Sequence, residues 1–268
     1  MSNGSIAVLG AGHAGRALAG DLGRMGADVV LWNRTPEHVA EVAEHGGVDL
    51  EGEIEGFGKI RLVTSDIGEA LADANLVMVC VPAFGHREVA RKAAPYLRSG
   101  QTVVLNPGRT FGAIEFLHEL RAQEASEGVV VAEAGTFIFA SRSTGPAQSR
   151  INRVKRSVNL AAIPCTRTAD VVAQLAPWYP QFHPAECTLE TSFANVGAVV
   201  HPAITLFNTA RIENTQGRFE FYLDGVSPGV ANVLEAVDRE RLAVSSLLGV
   251  PTRSMRDWLM IAYRAQGK

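Results

Sequence analysis

The sequence predicts an α/β protein in which a doubly wound parallel sheet is followed by an all-α helical domain. Three observations predict this fold class. Short apolar segments alternate with segments of helical spacing up to residue 132, a glycine-rich turn directly follows the first apolar segment, and nearly all residues from 189 onward have helical spacing. Strands that alternate with helices imply parallel pairing and right-handed crossover connections.

The predicted strands of the first half are short and apolar, as expected for strands buried on both faces. They comprise residues 5–9, 28–32, 60–63, 76–81, 102–105 and 129–132. The predicted helices comprise residues 16–25, 36–46, 88–97 and 113–122, together with a short helix after Asp66. Asp66 and Glu69 have the spacing of a capping box, which favours a helix start at that point.

The pattern changes in the middle of the chain. Residues 149–163 are strand-like and carry a group of cations: Arg150, Arg153, Lys155 and Arg156. Their alternation favours a solvated strand face, although the cluster also suits an acidic substrate. The proline-containing stretch 177–184 is predicted as a linker. We therefore predict a first domain of residues 1–180 and a helical domain of residues 181–268, with helices at 189–212, 230–248 and 254–263.

The composition limits the classes of function. Of the 268 residues, 47% are hydrophobic and 20% are charged, which is typical of a soluble globular protein. A net charge of −3 gives no electrostatic basis for binding nucleic acid or a membrane surface. No apolar run approaches the roughly 20 residues of a membrane span. The scattered cysteines Cys80, Cys165 and Cys187 have no disulfide or metal-ligand spacing, and with no signal peptide they predict a cytoplasmic protein with reduced thiols.

The glycine-rich turn GAGHAG lies between a predicted buried strand and a predicted helix. This context predicts a dinucleotide-binding turn of the Rossmann type. Gly10 permits the tight turn, Gly12 lets the backbone approach the pyrophosphate, and Gly15 allows close packing of the helix on the sheet. His13 and Ala14 complete the predicted cofactor-binding turn, because the first amides of the helix face the phosphates.

The end of the second strand predicts NADP rather than NAD as the cofactor. NAD-binding proteins favour an acidic residue there, which accepts hydrogen bonds from the ribose 2′-hydroxyl. This chain has Asn33, Arg34 and Thr35 instead. Without a carboxylate there is no repulsion of a 2′-phosphate, and Arg34 and Thr35 can bind it.

Two further turns follow predicted strands at the carboxyl edge of the sheet, where ligands of such sheets bind. They consist of Val81, Pro82 and Ala83 after one strand and Asn106, Pro107 and Gly108 after the next. We predict that both turns contact the nicotinamide half of the cofactor, although proline and glycine also suit ordinary turns.

His201 is the strongest candidate for an acid/base group. It precedes Pro202 within a predicted helix, and a titratable imidazole beside a proline is an unusual choice for packing alone. Asn208 shares its helix face, with Thr205 nearby, which predicts a wet cleft lined by substrate-binding side chains. From these residues alone, a structural histidine with satisfied hydrogen bonds fits equally well.

The sequence resembles the opine dehydrogenase family, which includes octopine, nopaline and N-(1-carboxyethyl) amino acid dehydrogenases. The motifs that carry the resemblance are LGAGHAG, TSDIGEALADANLVMVCVPA, LNPGRTFGAIEF, NVGAVVHP with LFNTARIE, and FEFYLDGVSPGVANVLEAVDRERLAV. The resemblance implies a Rossmann-like domain, a helical catalytic domain, and NAD(P)H-dependent reductive condensation of a 2-oxo acid with an amino acid. It also implies that His201 of the NxxxxxHP motif is the catalytic acid/base and that Asn195, the first residue of that motif, contacts substrate.

Two features depart from the family pattern. Gly197 stands where some members carry a second substrate-contacting asparagine. The resemblance also implies that the chain lacks the C-terminal part of the family, in which the aspartate that pairs with the catalytic histidine lies. Glu213 and Asp224 are the candidates within this chain to orient His201.

The resemblance leads to a hypothesis for the chemistry, in which a reduced nicotinamide at the sheet edge faces His201. Substrate carboxylates need cationic groups, for which Arg109 and Arg142 are equal candidates and Arg211 a weaker one. Two other classes of function stay open: an NADP-dependent reductase of a 2-oxo or hydroxy acid, and a non-catalytic NADP-binding protein. The predicted assembly is a homodimer.

Overall fold

The computed structural model describes residues 4–125 and 127–263. The chain divides into two compact units, Met1–Thr191 and Ser192–Lys268. The strands are β1 (Ser5–Leu9), β2 (Val29–Trp32), β3 (Gly47–Gly52), β4 (Gly56–Lys59), β5 (Leu62–Thr64), β6 (Ala74–Val79), β7 (Thr102–Leu105), β8 (Val130–Ala134), β9 (Phe139–Gly145), β10 (Gln148–Val154), β11 (Val158–Ile163) and β12 (Phe182–Pro184). The helices are α1 (His13–Arg24), α2 (Ala40–His45), α3 (Ile67–Leu71), α4 (His86–Ala93), α5 (Gly112–Ala122), α6 (Thr168–Leu175), α7 (Thr188–Phe193), α8 (Gly197–Phe207), α9 (Thr209–Thr215), α10 (Pro228–Leu247) and α11 (Met255–Tyr263).

The first unit is built on an eight-stranded sheet with the order β12-β11-β8-β7-β6-β1-β2-β5. Its pairs are parallel except for β8 and β11, which run antiparallel. This sheet confirms the predicted doubly wound fold, and its six predicted strands end within two residues of the observed ends. Short strands are predictable here because continuous apolar runs are needed where both faces are buried.

Alternate residues of β1 belong to two separate cores. Ile6 and Val8 pack in one with residues of α1 and α6, and Ala7 and Leu9 pack in the other with residues of α3, α4 and α5. The central sheet is therefore covered on both faces, as the period-two alternation of side chains in a strand requires.

A second, four-stranded sheet of order β4-β3-β10-β9 was not predicted. It packs on α1, where backbone meets backbone. An added Cβ on Gly23 would lie 2.1 Å from the carbonyl oxygen of Lys59, and one on Gly58 would lie 1.8 Å from that of Gly20. Glycines make the closest approaches of this contact, and Val48 and Leu50 of β3 also pack on α1. Glycines interrupt β3 and β4, so their hydrophobic pattern gave little signal of a sheet.

The middle of the chain departs from the sequence prediction in two places. Residues 149–163 are strand-like, as predicted, but they form two strands that belong to different sheets, because β10 pairs with β3 and β9 whereas β11 pairs with β8 and β12. The predicted linker 177–184 contains β12, an edge strand in which Phe182 is buried. The first compact unit consequently extends past residue 180 to Thr191.

The second unit is helical, as predicted, although segment 189–212 forms three helices, α7, α8 and α9, rather than one. Ser227 caps α10 by accepting a hydrogen bond from the Val230 backbone N–H (3.3 Å), and Pro228 occupies the first turn. The core of this unit is small and consists of Val196, Val199, Ile204, Val230, Leu234 and Met255.

The predicted absence of certain features can be compared with the described part of the chain. In residues 4–125 and 127–263, no helix is both long enough and apolar enough to cross a bilayer. The same residues contain no group of three or more His, Cys, Asp or Glu side chains arranged to bind a metal ion. The cysteines are free thiols, of which Cys80 is buried.

Candidate functional site

The glycine-rich turn has the geometry of a phosphate-binding turn. Gly10 has a φ of +108°, and an added Cβ there would lie 2.7 Å from the carbonyl oxygen of Cys80. An added Cβ on Gly15 would lie 1.7 Å from the carbonyl oxygen of Gly10. Gly12 differs, because no described atom lies within 4 Å of an added Cβ. The protein itself therefore requires glycine at two positions, and at Gly12 it leaves space where a pyrophosphate can approach.

The N-terminus of α1 opens directly after Gly12, and no side chain caps it. His13 and Ala14 lie in the first turn, where backbone N–H groups have no partner within the helix. The imidazole Nδ1 of His13 accepts a hydrogen bond from the Ser143 N–H (2.9 Å), so the ring is held against β9. The first-turn amides and the positive end of the helix dipole suit a phosphate group.

The residues after β2 have different surroundings: Asn33 bonds the glycine turn, and Arg34 lies at the surface. Asn33 Oδ1 accepts a hydrogen bond from the Ala11 N–H (3.2 Å), and Asn33 Nδ2 donates to the Thr35 carbonyl (2.9 Å). Asn33 thus braces the glycine turn. Arg34 is exposed and its Nη1 lies 2.5 Å from a carboxylate oxygen of Glu88 on α4. The hydrogen bond from Arg34 lowers the pKa of Glu88. Sequence reasoning missed Glu88, since the two residues are far apart in the chain.

The turns after β6 and β7 lie at the same edge of the sheet as the glycine turn. Val81 packs against the glycine turn, because an added Cβ on Gly10 would lie 2.8 Å from the Val81 Cγ1. Pro82 and Ala83 lie in the segment that precedes α4. Asn106 is buried and donates a hydrogen bond to the Val104 carbonyl (2.9 Å).

Asn106 also leaves an acceptor at this edge. Its Oδ1 is buried and has no hydrogen-bond partner among the described residues. Buried polar atoms are normally paired, so this oxygen suits a donor on a bound dinucleotide. Together with the glycine turn, the edge fits a nicotinamide dinucleotide.

Glu133, near the end of β8, is a fully buried carboxylate that sequence reasoning missed. It accepts hydrogen bonds from the Ala113 N–H (2.8 Å) and from the Thr191 hydroxyl. An added Cβ on Gly108 would lie 2.4 Å from the Glu133 Cβ, so only glycine fits there. Glu133 thereby fixes the start of α5 and the turn after β7. An acid within the apolar run VVVAEA was the available signal.

Lys155 departs from the solvated strand face predicted for its cluster. Arg150 does face solvent and pairs with Glu51 (2.9 Å). The Nζ of Lys155 instead donates a hydrogen bond to the Thr136 hydroxyl (2.5 Å). Burial, together with the positive charge of Arg109, lowers the pKa of Lys155 to about 8. Lys155 and the predicted substrate ligand Arg109 are therefore neighbours.

Arg142 lies in a different place from Arg109. It belongs to β9 in the second sheet, directly opposite Arg150 on β10, and it is exposed. Residues opposite each other in an antiparallel pair share a face, so Arg142 lies on the face that carries the Arg150–Glu51 ion pair. Its chain neighbours Ser141 and Ser143 both bond His13, which follows the glycine turn.

In the helical unit, His201 on α8 is exposed, and its Nε2 lies 2.8 Å from the hydroxyl of Tyr222. Gly197 lies beside it on the same helix. An added Cβ on Gly197 would lie 3.3 Å from His201 Cε1 and 3.4 Å from Asn195 Oδ1. Asn195 and His201 are thus brought together around Gly197.

The other predicted residues of this unit have different surroundings. Asn208 donates hydrogen bonds to the carbonyls of Ile204 (2.9 Å) and Gly225 (2.8 Å), so its amide ties α8 to the loop before α10. Thr205 is exposed on α8. Arg211 pairs with Asp224, with 3.6 Å between Nη2 and Oδ1, so Asp224 orients Arg211 rather than His201.

Comparison with known proteins identifies the same two parts. Residues 5–132 match the family model for the N-terminus of NAD-dependent glycerol-3-phosphate dehydrogenase. Residues 184–268 match the model for the alpha-helical domain of NAD/NADP octopine/nopaline dehydrogenase. An opine dehydrogenase of Arthrobacter sp. (strain 1C) is 36% identical over 97% of this chain and 72% of its own length. The chain belongs to the opine dehydrogenase family. It is therefore an NAD(P)-dependent oxidoreductase of the class that acts on CH–NH donors.

More distant similarities also extend over most of the chain. The protein ocs of Agrobacterium vitis is 27% identical over 93% of this chain and 69% of its own length. A solved octopine dehydrogenase in complex with NADH and agmatine has a TM-score of 0.79 at 20% identity, covering 97% of this chain and 70% of that one. An NADP+-bound yersinopine dehydrogenase has a TM-score of 0.76 at 20% identity, covering 97% and 68%. At this identity, the structural likeness shows a shared fold.

Proposed function

We propose that the chain is an NADP-dependent opine-type dehydrogenase that condenses a 2-oxo acid with an amino group and reduces the resulting imine. The observation that carries this proposal is the exposed imidazole of His201 beside Asn195, in the helical domain of this family. The solved relatives support it, because octopine dehydrogenase structures contain pyruvate or L-arginine with NADH.

His201 is the group that moves protons in this proposal. As the neutral imidazole, it accepts a proton from the ammonium group of the amino substrate, which frees the nitrogen for attack on the oxo carbon. As the imidazolium, it donates a proton to the hydroxyl group that leaves as water when the imine forms. Asn195 and the Tyr222 hydroxyl, 2.8 Å from His201 Nε2, orient the substrate and the ring. NADPH, when bound, supplies the hydride that reduces the imine carbon.

The first unit supplies the dinucleotide site. The amides of His13 and Ala14 and the open side of Gly12 suit the pyrophosphate, and the turns after β6 and β7 suit the nicotinamide half. Arg34 and Thr35 favour NADP, because no carboxylate stands directly after β2 and an exposed guanidinium does. Solved structures of the same fold contain NADP+ in one case and NADH in others, so the choice of NADP rests on the residues after β2.

Two wider predictions accompany this function. The free thiols fit a reducing compartment such as the cytoplasm. Exposed apolar side chains on the helical unit, such as Leu206 and Leu223, suit the predicted homodimer.

The decisive experiment is NADPH oxidation followed at 340 nm across a panel of 2-oxo acids, each with and without amino acids. The expected result is oxidation that needs both substrates, with a secondary-amine product detected by mass spectrometry. Oxidation with the oxo acid alone would instead establish a simple reductase. Tight NADP+ binding without turnover of any pair would establish a non-catalytic binding protein.

A further inference from the structure

Residues 219–225, which we call the tyrosine loop, lie between α9 and α10 and present Tyr222 to His201. The Tyr222 hydroxyl lies 2.8 Å from His201 Nε2, and the centroids of the two rings are 6.1 Å apart. The ring of Phe221 lies 6.2 Å from that of His201 and 5.1 Å from that of Tyr222. Because Tyr222 is 58% exposed, its position depends on the backbone of the loop more than on packing.

The tyrosine loop is closed by its own backbone. The Asp224 N–H donates a hydrogen bond to the Glu220 carbonyl (2.8 Å), and the Glu220 N–H donates to Asp224 Oδ2 (2.9 Å). Gly225 approaches the loop so closely that an added Cβ would lie 2.3 Å from the carbonyl oxygen of Phe221. These contacts join the two halves of the loop, so a displacement of Asp224 moves the backbone that carries Tyr222.

Arg211 on α9 contacts both ends of the tyrosine loop. Its Nη1 donates a hydrogen bond to the Asp224 carbonyl (2.9 Å), and its Nη2 lies 3.6 Å from Asp224 Oδ1. Its guanidinium carbon lies 5.1 Å from the ring centroid of Phe219, where the loop begins. A planar guanidinium can hold a carbonyl, a carboxylate and an aromatic ring at once. Asn208 adds a hydrogen bond from its Nδ2 to the Gly225 carbonyl (2.8 Å).

The same contacts argue against Arg211 as a ligand for a substrate carboxylate. Asp224 already supplies a carboxylate 3.6 Å from the guanidinium, so a substrate would have to compete with it. Both η nitrogens of Arg211 are directed at Asp224, one at its carbonyl and one at its side chain. The role that fits this geometry is to fix the loop.

We infer that Arg211 is a positioning residue, which holds the Tyr222 hydroxyl against His201 through the tyrosine loop. The inference rests on the proposed function, in which His201 moves protons. With Nε2 bonded to Tyr222, the His201 Nδ1 lies 3.4 Å from an added Cβ on Gly197, which is also 3.4 Å from Asn195 Oδ1. In a histidine, the partner of one ring nitrogen decides the orientation of the ring and the proton on the other nitrogen. Tyr222 therefore fixes which nitrogen lies toward Asn195.

The first test is nuclear magnetic resonance of protein labelled with ¹⁵N in its histidine rings, which needs no substrate. His201→Ala identifies the His201 signals, and spectra are compared for the wild type, Tyr222→Phe, Arg211→Met and Arg218→Met. Arg218 is the matched control, because it is exposed and donates its hydrogen bond to the Thr215 carbonyl at the end of α9 (3.2 Å). We expect the ¹⁵N chemical shift of Nε2 to change in the same direction in Tyr222→Phe and Arg211→Met. It should stay unchanged in Arg218→Met.

The second test is a double-mutant cycle on kcat/KM, with a substrate pair that oxidises NADPH. Loss of the hydrogen bond to the imidazole should lower kcat/KM about tenfold in Tyr222→Phe, and the displaced loop should lower it about three- to tenfold in Arg211→Met. If Arg211 acts through Tyr222, the double variant loses no more than Tyr222→Phe alone. Arg218→Met should keep the wild-type kcat/KM. Thermal unfolding checks that every variant is folded, and Asp224→Asn replaces Arg211→Met in both tests if the latter does not fold.

Each outcome decides the inference. Unchanged His201 shifts in Arg211→Met would overturn it. Losses that multiply in the double variant would also overturn it, and would make Arg211 a substrate ligand. Equal changes in Arg218→Met would show that the effect does not come from the tyrosine loop, which again overturns the inference. If the ¹⁵N shifts change as expected but no substrate pair oxidises NADPH, the positioning role stands and the proposed function fails.

Discussion

The two units of the molecule hold their functional groups in different ways. In the first unit, site residues are fixed by backbone contacts on all sides: Gly15 lies against the Gly10 carbonyl, and the buried Glu133 bonds a helix N-terminus and a hydroxyl. In the helical unit, His201 is exposed and its imidazole bonds the hydroxyl of Tyr222, which is also exposed. Substitution of a site residue should therefore change the stability of the first unit, whereas in the helical unit it should leave stability largely unchanged.

The hydrophobic cores of the two units also differ, and that of the helical unit is the smaller. The first unit encloses two large clusters of buried side chains, one on each face of its main sheet. Up to residue 263, the helical unit has one small cluster around Ile204 and exposes large apolar side chains, such as Leu247, which is 88% exposed. Substitutions at the surface of the helical unit should thus change function without changing stability.

The largest expected effect is on turnover in His201→Ala. Loss of a general acid/base typically lowers kcat about 10²- to 10⁴-fold. Because the side chain is exposed, the melting temperature should change little. Steady-state kinetics and thermal unfolding measure the two quantities, and His183→Ala, at an exposed position of β12, is the control. Near-normal turnover in His201→Ala would refute the catalytic assignment.

The next largest effect is expected in the glycine turn of the first unit, where one residue type serves both packing and cofactor binding. Gly15→Ala places a methyl group 1.7 Å from a backbone oxygen, so we expect a loss of about 3 kcal/mol in the free energy of unfolding. Gly12→Ala is the matched variant, since its added Cβ meets nothing within 4 Å. It should keep the stability of the apoprotein while weakening NADPH binding about tenfold or more. Chemical denaturation and fluorescence titration distinguish the variants, and equal stability of both would contradict this account.

The parts of the first unit differ in how well the sequence predicts them. The strands of the main sheet and the roles of Gly10, Gly12 and Gly15 were predictable, because buried strands need apolar runs and the turn needs glycine. The second sheet was not, since glycines and charged residues interrupt its short strands and leave too brief an apolar alternation to predict them. The linker prediction at 177–184 was wrong because prolines and aromatic residues also suit an edge strand.

The candidate site was predictable where one local motif carries it and not where distant segments meet. His201 and Asn195 lie in one motif, so their proximity followed from spacing. Tyr222, Glu133 and Lys155 reach their partners through tertiary contacts between residues at least 19 positions apart. No periodicity of a single sequence encodes such pairs.

A pH series tests whether the first unit also binds substrate. Lys155 has a pKa of about 8, so it is cationic below that pH and neutral above it. The KM for pyruvate should be constant below about pH 7 and rise at most roughly thirtyfold by pH 9.5. In Lys155→Arg the rise should vanish, because a guanidinium keeps its proton. A rise that persists unchanged in this variant would show that another group titrates.

The smallest effect is expected at Arg34 in the predicted cofactor site. Arg34 is exposed, so in this respect the first unit resembles the helical unit with its exposed His201. Arg34 is exposed and bonded to Glu88, so Arg34→Ala should leave the melting temperature unchanged. It should weaken NADPH binding about five- to tenfold and NADH binding little, because only NADPH offers a 2′-phosphate. Glu88→Gln keeps Arg34 and removes a negative charge beside the phosphate position, so NADPH affinity should rise severalfold by the same electrostatic reasoning. Fluorescence titrations of both nucleotides measure these constants. Equal losses for NADH and NADPH in Arg34→Ala would mean that Arg34 contacts the adenosine common to both cofactors, and the choice of NADP would then need another residue.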